Sequence, residues 1–106
     1  MLFEFRHYTC KPGKRDDWVK YMEEVVIPFQ VSRGMVILGS FTSDEDPNAY
    51  YWIRRFKDED DRKALYAAVY QSDTWKEQIG PKVPEMIDRD AIEVTRLTPS
   101  PKSAIQ

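Results

Sequence analysis

The chain has 106 residues with sixteen Lys+Arg against eighteen Asp+Glu, a net charge of −2, and this length predicts one domain with a single core. Hydrophobic residues make up 42%, aromatic residues 13% and charged residues 32%, too apolar for a disordered chain and too charged for a membrane protein. The two signs are interspersed and nothing marks a phosphate-binding surface, so no nucleic-acid partner is expected. The single Cys10 excludes an internal disulfide, and no apolar run approaches the roughly 18 residues of a membrane span. With no basic-then-apolar leader at Met1–Arg6, the expectation is a cytoplasmic protein.

Leu2 to Thr9 alternates in character and is rich in aromatic residues, which predicts a first strand with Phe3, Phe5 and His7 on one face and Glu4, Arg6 and Tyr8 on the other. Lys11-Pro12-Gly13 breaks it. Trp18, Tyr21, Met22, Val25 and Phe29 then recur at helical spacing behind Asp16 and Asp17, predicting an amphipathic helix that Pro28 ends or kinks. Met35–Phe41 and Tyr50–Phe56 read as strands joined by a long hairpin loop through Asp44-Glu45-Asp46-Pro47-Asn48. Asp58 is the expected cap of a second helix with Glu59, Asp60 and Asp61 in its first turn and Ala64, Leu65, Ala68 and Val69 as its buried stripe. A further segment carrying Trp75, Ile79, Val83, Met86 and Ile87 is interrupted by Gly80-Pro81 and Pro84, predicting a broken helix. Ala91–Leu97 reads as the last strand.

The order β-α-β-β-α-β predicts an α+β domain of the ferredoxin-like kind, a four-stranded antiparallel sheet with its helices on one face. Residues 1–98 form the domain, and residues 99–106 are expected as an extended or disordered tail. Both sheet faces are apolar in sequence, so a homodimer packed face to face is expected.

The motifs Phe3-Glu4-Phe5-Arg6-His7-Tyr8-Thr9 with Lys11-Pro12-Gly13-Lys14, Leu38-Gly39-Ser40-Phe41, Asn48, Arg55-Phe56, Arg62-Lys63-Ala64 and Asp73-Thr74-Trp75, in this order over residues 2–98, resemble the NIPSNAP family. The resemblance implies a dimeric α+β barrel. The wider superfamily includes cofactor-independent monooxygenases, haem-degrading enzymes and dehydratase-like proteins, so it does not by itself choose an activity.

His7, the only histidine, is either a general base or an ordinary strand residue hydrogen-bonded within the sheet. Cys10 lies on the opposite face from it by alternation, which disfavours a Cys–His pair. The acidic loop fails as an EF-hand because Ala49 and Arg55 stand where glycine and glutamate are required. The acidic run Asp58–Asp61 reads as capping and solvation rather than a metal site. The four glycines are isolated, so no phosphate loop and no nucleotide cofactor is indicated. The aromatic residues suit a core or a pocket for a flat ligand. Arg6, Tyr8, Trp52, Arg54 and Trp75 are the pocket candidates, with His7 the alternative on the other face; the two arginines either face a planar anion or carbonyl compound or pair with Glu4. The leading reading is a protein that binds an apolar or aromatic small molecule, with a cofactor-independent monooxygenase-like enzyme as its catalytic form. The alternative is a non-enzymatic ligand-binding or protein-interaction module; a haem-binding protein, with His7 as the iron ligand, lies between the two.

Overall fold

The structure, a computed structural model, describes residues 1–106. Its strands are β1 (Leu2–Thr9), β2 (Val36–Thr42), β3 (Ala49–Phe56) and β4 (Glu93–Leu97), in one sheet of order β2-β3-β1-β4. All three pairings are antiparallel, the ferredoxin-like arrangement. The helices are α1 (Arg15–Tyr21), α2 (Ile27–Ser32), α3 (Glu59–Tyr70) and α4 (Val83–Met86). Glu4, Tyr8 and Cys10 of β1 and its extension share a buried layer with Tyr50, Trp52, Arg54 and Phe56 of β3, and the helices cover this layer through Trp18, Met22, Val26, Ile79 and Val83, joined by Ile87, which bridges to Cys10. Phe5, His7, Tyr51 and Ile53 occupy the other face of the two central strands.

Pro28 does not end the first helix, which runs on through it to Ser32. A π-helical turn at Met22–Val26 joins α1 to α2, and the Ile27 N–H donates to the Met22 carbonyl five residues back. The wider turn opens the ladder where Pro28 has no N–H to offer. The buried stripe is therefore Trp18, Met22, Val26 and Gln30, a strict spacing of four that would drift around a helix of 3.6 residues per turn and that the wide turn keeps aligned. Val25 and Phe29 are only half-buried. Gly34 ends α2 at φ 103°: its N–H reaches the Val31 carbonyl at 3.0 Å and the Met35 N–H reaches that of Gln30 at 3.0 Å, a Schellman motif that needs a left-handed residue.

β2 begins one residue later than expected and carries an irregularity between Ile37 and Gly39. Asp58 caps α3 by accepting from the Asp61 N–H at 2.8 Å. Of the expected stripe on α3, Val69 is fully buried and Leu65 packs with it against Met35 and Phe56, while Ala64 is exposed. Arg62, Tyr66 and Tyr70 share the inward side and reach the buried charge pair. The third helical segment changes pitch instead of breaking, passing from a π turn at Thr74–Ile79 through a 3₁₀ turn at Gly80–Lys82 into α4. Arg89–Ala91 forms a 3₁₀ turn, so β4 starts only at Glu93. After β4 the chain turns at Ser100–Ser103, where the Ser103 N–H meets the Ser100 carbonyl at 3.0 Å, and Arg55 donates to the Gln106 carbonyl at 3.1 Å. Ile105 there lines a groove with Phe3, Ile53 and Leu97.

Candidate functional site

Glu4 and Arg54 face each other across β1 and β3, and both side chains are fully buried. Arg54 Nε and Nη2 donate to Glu4 Oε1 at 3.1 and 2.7 Å. The other carboxylate oxygen accepts from Arg62 Nε at 2.9 Å and from the Tyr66 hydroxyl at 2.5 Å. Arg6 Nη1 approaches Oε1 at 3.4 Å. Burial alone pushes the Glu4 carboxyl up, but the Arg54 charge and the hydrogen bonds from Tyr66, Arg62 and Arg54 outweigh it and hold the group at about 2. The remaining Arg54 nitrogen donates to Gln30 Oε1 at 3.0 Å and to the Tyr70 hydroxyl at 2.7 Å. A buried pair with every valence used in this way offsets the desolvation that an isolated charge would suffer. Three guanidinium groups thus converge on one carboxylate, and the cluster is positive on balance.

Beside this layer lies a cavity of about 180 Å³ between sheet and helices. Arg6, Tyr8 and Trp52 line it from the sheet, Trp18, Met22 and Val26 from the first helix, and Tyr66, Tyr70 and Trp75 from the second helical region. Both π turns contribute to these walls, and such turns cluster at functional sites. Arg6 Nε donates to the Tyr8 hydroxyl at 3.0 Å, and burial, only partly opposed by the Arg6 charge, raises the Tyr8 pKa. Trp75 stands edge-on to Tyr70 with ring centres 4.9 Å apart. Gly80 makes room for it, since a Cβ there would lie 3.0 Å from both Trp75 Nε1 and the Trp75 carbonyl oxygen. The indole nitrogens of Trp18 and Trp52 are buried without an acceptor, an uncommon condition for native polar groups.

Of the residues singled out from sequence, Arg6, Tyr8, Trp52 and Trp75 line the same cavity. Arg54 lies behind them, held by Glu4, Gln30 and the tyrosines. His7 is on the other face, stacked on Tyr51 at 4.6 Å with Nδ1 3.3 Å from Glu93 Oε1; it offers no nitrogen to this cavity. Cys10 is buried, and burial raises its thiol to about 11, which leaves it inert at neutral pH. No group of three or more His, Cys, Asp or Glu side chains lies close enough to hold a metal ion. Sequence reasoning missed Trp18, Gln30, Tyr66 and Tyr70 as neighbours of the site. Their signal was a repeat of four: Arg62, Tyr66 and Tyr70 on one helix, Trp18, Met22, Val26 and Gln30 on the other.

The NIPSNAP family model matches residues 3–101. A NIPSNAP family protein with unknown function from Agrobacterium tumefaciens superposes with a TM-score of 0.89 at 27% identity, covering 100% of this chain and 94% of that one. An uncharacterized NIPSNAP domain protein from Burkholderia xenovorans gives 0.85 at 18% identity, with 96% and 97% covered. An antibiotic biosynthesis monooxygenase gives 0.68 at 19% identity, with 95% and 100% covered; at that distance the likeness is one of fold alone. No curated protein sequence matches the chain.

Proposed function

The chain belongs to the NIPSNAP family, and from that premise we propose that it binds an apolar or aromatic small molecule of about one ring in the cavity between sheet and helices. The observation that carries this reading is the aromatic-walled space of about 180 Å³ with Arg6 on its wall. A dry cavity of about 150 Å³ is enough to take up benzene, so a single ring with a small substituent fits. Trp18, Trp52 and Trp75 line the space and report on it directly. Titration with benzoate, benzamide and indole should quench their fluorescence saturably, and Val83→Trp should fill the cavity and abolish the response while the far-UV spectrum is retained. Unchanged fluorescence with all three compounds overturns the reading.

Binding without turnover and a monooxygenase-like reaction would both use this cavity. The first is favoured by its lining: no imidazole reaches it, and both oxygens of Glu4 are already occupied, so no side chain with a pKa near neutral stands ready to take a proton. Oxygen uptake in the presence of a bound ligand would reverse this preference. No helix is long and apolar enough to cross a membrane.

The assembly we propose is a two-fold dimer through the sheet face that the helices leave bare. Phe41, Val36 and Leu97 are exposed, and Phe5, Tyr51 and Ile53 are only half-covered. Two such faces, closed on each other, satisfy both copies with one isologous contact. Sedimentation as a monomer at micromolar concentration would rule it out.

A further inference from the structure

We infer that the ligand of this cavity is an anion, a single-ring carboxylate or a phenolate of that size, whose oxygen is held by Arg6 and by the hydroxyls of Tyr8 and Tyr70. The inference rests on the reading of the cavity as a binding site and adds the chemistry of what enters it.

The argument is a valence count along the wall. Arg6 uses Nε on Tyr8 and Nη1 on Glu4 and Tyr66, and Nη2 has no partner. The Tyr8 hydroxyl accepts from Arg6, and the Tyr70 hydroxyl accepts from Arg54 and Gln30, so the hydrogen of each remains free to be given. The strongest acceptor nearby, the Glu4 carboxylate, is already taken up by Arg54, Arg62 and Tyr66. The charged group left unpartnered on the wall is a donor, Arg6 Nη2, and the Tyr8 and Tyr70 hydrogens stand beside it, so a ligand that brings a charged acceptor gains more here than a neutral one of the same shape.

Charge points the same way. Arg6, Arg54 and Arg62 face the single carboxylate Glu4, and Arg62 shares Glu59 with Arg96. Arg89 also lines the cavity. Surplus positive charge beside an apolar, poorly hydrated space is attractive to an anion far more than the same charge in water. Aromatic walls add affinity for a flat ring.

The test is a series at fixed ring size: benzoate, benzamide, benzyl alcohol and benzylamine, titrated at pH 7 by calorimetry and by tryptophan fluorescence. Benzoate should bind at least about tenfold more tightly than benzamide or benzyl alcohol, the worth of one charge-assisted hydrogen bond, and benzylamine should not bind. Bound 4-nitrophenol should show a larger phenolate fraction than the free compound at the same pH. Tyr8→Phe keeps the ring and removes one hydroxyl donor, and should lower the benzoate-to-benzamide ratio severalfold. Arg6→Gln should erase that ratio; should this variant fail to fold, Tyr8→Phe still decides. Equal affinities for benzoate, benzamide and benzyl alcohol overturn the anion while leaving the cavity reading in place. No binding by any of the four overturns both.

Discussion

Two faces of one sheet differ in a direction opposite to ordinary burial. On β1, the residues turned toward the helices are Glu4, Arg6 and Tyr8, while Phe3, Phe5 and His7 turn away. The protein's own helices therefore bury its charges, and its more apolar strand face is left without them. Charged groups are rarely buried unless paired, and an apolar sheet face rarely stays bare. The contrast teaches that the two faces answer to different demands. The covered face holds a fixed polar arrangement beside a cavity, and the bare face carries the exposed apolar side chains on which the proposed dimer rests.

The sharpest way to break the covered face is to remove half of its buried pair. Arg54→Met leaves Glu4 with fewer donors and frees Gln30 and Tyr70, and should cost about 3–5 kcal/mol in urea unfolding, as loss of one partner in a buried ion pair does. Adding Glu4→Met to it should cost less than the sum of the two single changes, because no buried charge is then stranded.

Acid should reproduce part of that effect. Glu4 titrates near 2 in the folded protein against an ordinary 4.5. A depressed folded pKa contributes stability that is present in full above the unfolded value and is lost as pH falls from about 4.5 toward 2. Roughly 3 kcal/mol should disappear over this window. Unfolding free energies measured across it should fall for the parent and fall markedly less for Glu4→Gln.

Much of this contrast was legible in the chain. Alternation in Leu2–Thr9 separated Glu4, Arg6 and Tyr8 from His7 because a strand has a period of two, and the split βαβ order made β1 and β3 neighbours, which placed Arg6, Tyr8, Trp52 and Arg54 together. The choice of face was not legible, since both carry aromatic residues and nothing local says which one helices will cover. The helix faces were harder still. Helical periodicity assumes 3.6 residues per turn, and both helical regions contain π turns, so Gln30 and Trp18 share a stripe that this period does not draw. Arg62, Tyr66 and Tyr70 read as surface residues by type; only the buried Glu4 and Arg54 explain why they turn inward.

The bare face can be broken without touching the cavity. Phe41 lies opposite Tyr51 and is 52% exposed, so Phe41→Glu removes little from the single chain. Placed on the edge strand within a face-to-face contact, it should weaken self-association by about 2 kcal/mol, visible as a shift toward monomer in sedimentation equilibrium, with benzoate binding unchanged. A smaller change sharpens the covered side. Gly80→Ala sets a Cβ against the Trp75 indole and carbonyl and should cost about 1 kcal/mol through the forced shift of that residue, with a measurable loss of ligand affinity as the indole moves.

The smallest expected effect decides which face carries the function. His7 is stacked on Tyr51, its Nδ1 lies beside the exposed Glu93 carboxylate, and its Nε2 is buried without a partner. Phenylalanine keeps the stack and removes the unpaired nitrogen, so His7→Phe exchanges a weak, partly exposed polar contact with Glu93 for relief of a buried polar atom. These terms oppose each other and are each about 1 kcal/mol, which predicts a stability within about 1 kcal/mol of the parent in urea. Benzoate affinity should be unaltered, because the imidazole and the cavity lie on opposite sides of β1. If His7→Phe instead abolishes binding while Tyr8→Phe and Trp52→Phe leave it intact, the site belongs to the bare face, and the cavity beneath the helices is only a gap in the core.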